Sequence, residues 1–380
     1  MKIKMKVVLH ISNDYSGSTV YMNLIRELDA LDFQQVIYNP VREEKRVGVN
    51  SVEFKAAGSE IIYRPILNYH IDRLLYPWKI RKIVKDIQKQ VDFSKVTFIH
   101  AHTWYSDGGV AYELSKKYGI PYIVTIRNTD LNLFQKKLKY VRPYGRKILD
   151  RAQKIILISA AYKERILTQN SLKPILSQLE EKIEIIPNGV DPFWIKNATE
   201  QKKVLKEPVK ILYIGKFDSG KNVLNLVKAV YSLNNEGILC SLNLVGGGGK
   251  DEREIMSYVN RYPEIFAYHG KIYDKDKLMK IMKSCDIFAM PSRNETFGLV
   301  YVEAMLQGLP ILYTAGEGID GFYAEAIGEK VSKVAEAEEI ATGLKKMIKD
   351  LGTYHIPTNK LLENHDWSSI AKNYHNIYES

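Results

Sequence analysis

Cysteine is scarce: Cys240 and Cys285 are the only two in 380 residues. Two are too few for a disulfide framework or a cysteine metal cluster, and they fit a reducing compartment better than an oxidising one. No stretch approaches the roughly 18 consecutive apolar residues of a membrane-spanning helix. The start, Met1 to His10, is basic, but its apolar run stops after three residues, too short for the core of a signal peptide. It reads as a first buried strand, and the expected location is the cytoplasm. Also missing are a Gly-x4-Gly-Lys-Ser/Thr phosphate loop, a Gly-x-Gly-x-x-Gly dinucleotide fingerprint, an internal repeat and a low-complexity tract.

What is present is ordinary globular composition, with 45% hydrophobic and 26% charged residues. At about 100–200 residues per domain, the length predicts two domains, three at most. The net charge of +11 is unevenly placed. Residues 1–190 hold 31 Lys and Arg against 19 Asp and Glu; residues 191–380 hold 24 against 25. The N-terminal half therefore carries all of it, which points to an anionic partner there: nucleic acid, a membrane surface or an acidic ligand.

Short apolar runs alternate with amphipathic stretches. Candidate strands are 6–11, 34–38, 60–63, 97–101, 121–126, 154–158 and 183–186, then 210–214, 239–245, 265–268, 286–290 and 310–313. Stretches of helical period lie between most of them, such as Ile80, Ile83, Val84, Ile87 and Val91. The alternation predicts an α/β protein with two Rossmann-like domains built on parallel sheets. Pro187-Asn188-Gly189-Val190-Asp191-Pro192 and the charged stretch 196–209 mark the break, with a linker near 190–208.

Open α/β sheets bind ligands at the carboxyl ends of their strands, so the loops there carry the functional reading. Gly215-Lys216-Phe217-Asp218-Ser219-Gly220-Lys221-Asn222 follows a strand and precedes an apolar helix. Two lysines around such a turn can face one anion, most naturally a diphosphate; a polar loop with solvated lysines fits the residues as well. Gly246-Gly247-Gly248-Gly249 ends the next strand, where glycines let a ligand approach the backbone or simply form a flexible turn. In the third loop, Arg293 to Gly298 leads into Leu299-Val300-Tyr301-Val302-Glu303-Ala304-Met305-Leu306, apolar nearly all round. Glu303 is the sole charge in that run and must meet a partner or a ligand hydroxyl. Glu295 lies eight residues earlier, about 12 Å along a helix axis if helical geometry extends so far. That separation matches the reach of a nucleotide sugar from ribose to sugar, with the N–H groups of Phe297, Gly298 and Leu299 between, at a helix start suited to phosphate.

Glu295-Thr296-Phe297-Gly298-Leu299-Val300-Tyr301-Val302-Glu303 resembles the E-x7-E motif of retaining glycosyltransferases of the GT-B fold, family 4 (glycosyl transferases group 1). Gly215-Lys216-Phe217-x-x-x-Lys221 is similar to that family's G-R-L-x-x-x-K-G loop, Pro187 to Asp191 to its linker motif, and Asp366-Trp367-Ser368-Ser369-Ile370-Ala371 to the start of its C-terminal helix. The resemblance covers nearly the whole chain. It implies an N-terminal acceptor-binding domain, 1–190, and a C-terminal nucleotide-sugar-binding domain, 191–366, facing across a cleft, with the last helix, 367–378, returning to the first domain. It further implies that Glu295 meets the donor sugar and Glu303 the ribose, with Thr296 among the donor-binding residues. Lys216 and Lys221 would neutralise the leaving diphosphate in place of a metal, so no cofactor is expected. Gly215, Gly246 and the backbone at Ile272 would line the donor pocket, and Gly17 and Ser18 would reach it from the other domain.

Three departures from the family pattern matter. Lys216 replaces its arginine, a point charge for a bidentate fork. Asn222 replaces a glycine. Thr125-Ile126-Arg127-Asn128-Thr129-Asp130 stands where the family has T-x-H-G-x-D, so Arg127 occupies the place of a histidine beside the donor sugar. Arginine cannot act as a general base, which suits a mechanism without one. His102 and Asp130 are acceptor-side candidates, though a structural histidine fits His102 equally.

The resemblance implies hexosyl transfer from a nucleotide diphosphate sugar, UDP being the commoner base, to a glycan or lipid-linked glycan in cell-surface polysaccharide synthesis. A protein of the same fold that binds nucleotide sugar or glycan with little turnover is the alternative, and Arg127 favours it. Residues 73–90 and 136–154 interleave lysine and arginine with aromatic and aliphatic residues, as membrane-docking surfaces do. Together they predict a peripheral enzyme on the inner face of the cell membrane, although a solvated helix face explains either stretch alone. Nucleic acid is not an expected partner, because neither a recognition helix nor a stacking sheet face is apparent.

Overall fold

The computed structural model describes residues 6–31, 33–68, 72, 75–200 and 207–380. Arg73 and Leu74 of the basic stretch, and 201–206 of the linker, lie outside the described residues. The chain divides into two compact units. One holds the residues up to Ile158 with Lys163–Gly189 and Trp367–Ser380; the other holds Ser159–Tyr162 and Val190–Asp366.

The first unit is a seven-stranded parallel sheet in the order β3-β2-β1-β4-β5-β6-β7. Its strands are β1 (Val7–Ile11), β2 (Gln34–Pro40), β3 (Glu60–Arg64), β4 (Phe98–Ala101), β5 (Tyr122–Ile126), β6 (Lys154–Leu157) and β7 (Ile183–Ile185). Every residue of β1, β4 and β5 is buried, as expected of parallel strands covered on both faces. The helix Thr19–Leu28 starts on Ser18, whose Oγ accepts from Val20 N at 3.3 Å. The helix Tyr76–Gln90 buries Tyr76, Ile80, Ile83 and Ile87, one stripe at helical spacing. The last helix, Trp367–Glu379, packs Trp367, Ile370, Tyr374 and Ile377 into the core that Tyr21, Leu24 and Phe33 share. A Cβ on Gly189 would stand 2.6 Å from the Trp367 ring. The glycine of the Pro187–Asp191 motif thus makes room for the tryptophan 178 positions on.

The second unit is a six-stranded parallel sheet in the order β10-β9-β8-β11-β12-β13. It comprises β8 (Val209–Gly215), β9 (Cys240–Gly246), β10 (Phe266–Tyr268), β11 (Ile287–Ala289), β12 (Ile311–Thr314) and β13 (Gly328–Val331). All twelve strands expected from apolar runs are present, and β13 is an addition. It reads Gly-Glu-Lys-Val, buries only Val331 and lies at the sheet's edge, so no apolar run betrays it. Its Gly328 backs so closely on β12 that a Cβ would meet Ile311 O at 1.8 Å. Both cysteines are buried, and neither is in a disulfide.

Candidate active site

In the second unit the strand order reverses at β8, with β9 and β10 on one side and β11, β12 and β13 on the other. Chain leaving the carboxyl ends of β8 and β11 diverges there and opens the crevice such sheets use for ligands. The loops that the sequence singles out emerge at this point. In the first, Lys221 N donates to both Asp218 O (2.9 Å) and Asp218 Oδ1 (3.1 Å), closing the turn. Gly220 O accepts from Arg293 N at 2.9 Å, which fastens the loop after β8 to the one after β11. Lys221 then reaches Glu295, with Nζ 2.6 Å from Oε2. These side chains are 74 positions apart in sequence and are brought together by neighbouring strands.

Asn222 sits at φ +56°, a left-handed conformation that glycine takes freely and asparagine tolerates best among the others. Its buried amide donates to Ala335 O at 2.9 Å. The departure from glycine therefore preserves a backbone shape. Lys216 is different: its side chain is 63% exposed and lies 3.5 Å from Asp218 Oδ2. The glycine run earns its composition through close approach. A Cβ on Gly246 would meet Gly215 O at 1.9 Å, and one on Gly249 would meet Phe217 O at 2.3 Å. Phe217 N donates to Gly248 O at 2.8 Å, so the first two loops are sewn together backbone to backbone. Ile272, after β10, is half-buried against the same core.

Glu295 is held from several sides. Its Oε1 accepts from Thr296 N at 3.0 Å, and its own N–H donates to Glu317 Oε2 at 3.0 Å. Glu317, only 3% exposed, pairs through Oε1 with Lys333. Two carboxylates and two lysines thus alternate along the crevice, each carboxylate with a cation beside it, which offsets the cost of burying them. Glu317 and Lys333 were not anticipated. Glu317 stands between Gly316 and Gly318 after β12, an acid in a glycine-flanked loop at a strand's carboxyl end, and that pattern is the signal that could have found it.

The helix Leu299–Met305 begins four residues after Glu295, because Gly298 takes φ +79°. Helical geometry does not extend back to Glu295, so a separation of about 12 Å along one axis does not describe the two glutamates. A Cβ on Gly298 would collide with the Tyr301 ring at 2.5 Å. Phe297 is a core residue, its ring edge-on to Phe322 at 5.4 Å, which leaves its backbone as the part able to meet a ligand. Leu299 is half-buried at the helix start. Glu303, half-buried, is pushed up to about 7 by burial and by the Asp191 carboxylate, with Lys275 acting in the opposite sense. Lys275 is itself paired to Asp191 at 2.5 Å. Among the described residues Glu303 has no hydrogen bond or ion pair, so its carboxyl is available to a ligand.

The first unit has its own reversal, at β1, with β2 and β3 on one side and β4 to β7 on the other. Gly17 and Ser18 lie in the loop after β1. A Cβ on Gly17 would fall 2.2 Å from Asp14 Oδ1, and Ser18 is occupied as the helix cap. Arg127 donates from Nε to His102 O at 3.0 Å and lies over the Tyr21 ring at 4.6 Å. The buried Asp130 accepts from Trp104 N, Tyr105 N and Arg127 N, at 3.0, 3.0 and 2.9 Å. Burial raises its pKa to about 6, and does the same to Asp107, which clamps Asn13 and Thr103.

His102 is also buried, with Nε2 3.1 Å from His10 Nδ1, and burial holds it neutral well below its usual range. His10, His100 and His102 are the one group among the described residues whose nitrogens gather closely enough for a metal, within 4.8 Å of one another. His100, however, spends both ring nitrogens on Tyr378 OH (2.7 Å) and Thr125 Oγ1 (3.0 Å), and stacks on His102 with centroids 3.9 Å apart. Stacked rings direct their lone pairs side by side rather than at one point, so the cluster is built as packing under the last helix.

The family model described as Glycosyltransferase Family 4 matches residues 17–193, and the one described as Glycosyl transferases group 1 matches residues 195–361. The chain belongs to the group 1 glycosyl transferases. The uncharacterized glycosyltransferase MJ1607 of Methanocaldococcus jannaschii is 24% identical over 360 residues, 88% of each chain. Among solved structures, the lipopolysaccharide outer core galactosyltransferase WaaB in its apo form superposes with a TM-score of 0.72 at 18% identity, covering 99% of both chains. The Anabaena protein HepE in complex with UDP gives 0.66 at 15% identity, over 99% of this chain and 100% of that one. In this group 1 glycosyl transferase, the first glutamate of the E-x7-E motif is the one that Lys221 meets, and the second is the one with its carboxyl open.

Proposed function

We propose that the protein is a retaining, metal-independent hexosyltransferase that takes its sugar from a UDP-sugar. The observation that carries this reading is the Lys221–Glu295 pair at the reversal point of the second sheet, a cation and a hydroxyl acceptor side by side. Lys221 and the exposed Lys216 neutralise the departing diphosphate, Glu295 accepts from donor-sugar hydroxyls, and Glu303 from the ribose. The bond from the anomeric carbon to the diphosphate oxygen breaks. The acceptor oxygen bonds on the same face, and its proton passes to the departing phosphate, so no enzymic base is required. Arg127 then stabilises charge or binds hydroxyls. That HepE was solved with UDP supports the choice of base.

The acceptor is a glycan or lipid-linked glycan of the cell surface, used in the cytoplasm by an enzyme peripheral to the membrane. The name of WaaB and the surplus charge of residues 1–190 support this. No helix among the described residues is long and apolar enough to cross a membrane. The test is a thermal-shift screen of nucleotide sugars followed by donor hydrolysis and transfer assays with EDTA present. Binding without any turnover would favour a catalytically silent binding protein.

Glu303 adds a pH dependence. Ribose hydroxyls donate best to the ionised carboxylate, so donor binding must release the proton held up to about pH 7. Affinity for a UDP-sugar should be flat above pH 7 and fall towards tenfold per unit below it. Glu303→Gln should abolish the slope in a calorimetric titration; an unchanged slope in that variant would remove Glu303 from the ribose site.

A further inference from the structure

On the first unit, the helix Tyr76–Gln90 and residues 140–144 border an open groove of about 790 Å³. Its size falls in the range of roughly 300–1,000 Å³ that holds small-molecule ligands. The floor is apolar and buried: Tyr76, Ile80 and Val141. The walls carry Trp78 and Tyr140, 48% and 57% exposed, large aromatics that a soluble surface seldom leaves in the open together. Arg81, Lys82 and Lys85 line the rim. None of the three makes an ion pair among the described residues; Lys82 instead lies 5.1 Å over the Trp78 ring. The one carboxylate at the groove, Glu113, is engaged by Tyr144 OH at 2.8 Å and Lys116 at 3.4 Å.

Not every cation of the two basic stretches contributes. Lys79 is buried and donates to Ser106 Oγ at 2.8 Å. Arg142 is turned back to Gln135 O, Arg151 to Ser115, and Lys154 to Glu184. Once these are set aside, the remaining cations include the trio beside the exposed aromatics.

We propose that this groove holds one acyl chain of an anionic membrane phospholipid, with the lipid phosphate on Arg81, Lys82 and Lys85. The proposal rests on the reading of a membrane-peripheral transferase and gives that association a specific seat. An apolar floor suits a hydrocarbon chain, aromatic walls suit the headgroup level of a bilayer, and unpaired cations at the rim suit phosphate.

Trp78 reports on the groove directly, because Trp104, Trp194 and Trp367 are all buried. The full chain is titrated with phosphatidylglycerol vesicles and with phosphatidylcholine vesicles at low salt, each prepared with and without brominated acyl chains. Trp78 emission should shift to shorter wavelength on phosphatidylglycerol and be quenched by the brominated chains, with at least tenfold weaker binding to phosphatidylcholine. Lys82→Glu with Lys85→Glu should weaken binding at least tenfold, and Tyr140→Ala should reduce the quenching while charge is unchanged. Binding that leaves Trp78 unquenched would overturn the groove in favour of plain surface attraction. Absence of binding, or a Trp78 response to single-stranded RNA and not to vesicles, would overturn it as well. UDP-sugar hydrolysis is followed in the same samples. Hydrolysis without lipid quenching sinks the groove alone, and quenching without hydrolysis sinks the transferase reading alone.

Discussion

Lys221→Ala should lower kcat by about 10²–10³-fold, the loss usual when one preorganised charge is removed from a developing anion. Glu295→Ala should cost at least as much in kcat/KM, since it removes the hydroxyl acceptor and releases Lys221 from its 2.6 Å contact. The two act as a unit, so the double variant should be little worse than the poorer single one. The fold should survive each change. The pair is partly open to solvent, at 29% and 13%, so breaking it costs less than the 3–5 kcal/mol or so of a fully buried pair. Steady-state kinetics with circular dichroism on all three variants checks this. Activity within threefold of the parent in either single variant would move the site elsewhere.

Asp130→Ala should act on stability instead, lowering the unfolding free energy by about 3–5 kcal/mol. Three main-chain N–H groups, those of Trp104, Tyr105 and Arg127, have the Asp130 carboxylate as their acceptor. Each buried donor left without a partner costs about 1–3 kcal/mol, and water entering the gap returns part of it. Asp130→Asn keeps one carbonyl oxygen and should lose roughly half as much. The pKa of about 6 sets a sign. A carboxyl raised in the folded state keeps a proton that the unfolded chain releases near pH 4. The part of the stability linked to this proton is therefore complete below about pH 4 and lost as pH rises through 6, while the three N–H contacts remain, and Asp130→Asn should flatten that part of the curve. Urea titrations between pH 4 and 8 test both points. A loss under 0.5 kcal/mol for alanine would mean that the turn is held by other groups.

Much of the site was legible because its signals are local. Glu303, alone in an apolar run, had to be unusual, and it is the glutamate with an open carboxyl. Gly246 and Gly249 are needed where two loops cross backbone to backbone. The loop lysines were legible as candidates but not as unequal: Lys221 turns onto Glu295 while Lys216 stays in solvent, a difference set by the Asp218 turn. The helix begins at Leu299, directly after the loop read over Arg293 to Gly298, and the left-handed Gly298 sets that start. Glu317 has a local signal in its flanking glycines, but Lys333 has none, and what joins the two is the packing of the chain after β12 beside that after β13.

By itself the sequence determined the class of the protein. Strands buried on both faces must be continuously apolar, amphipathic helices must repeat every three to four residues, and the scarcity of cysteine and of long apolar runs left little but an α/β fold with two halves. It also determined which residue types stand at strand ends. The tertiary structure alone decided which of them meet. Lys221 and Glu295 are joined because β8 and β11 are neighbours, and the eight cations of 136–154 divide into tethered and free according to what packs beside them. Spacing along a chain fixes contacts only within a helix turn or a single loop. Pairing across a sheet depends on strand order, and strand order is a property of the whole core.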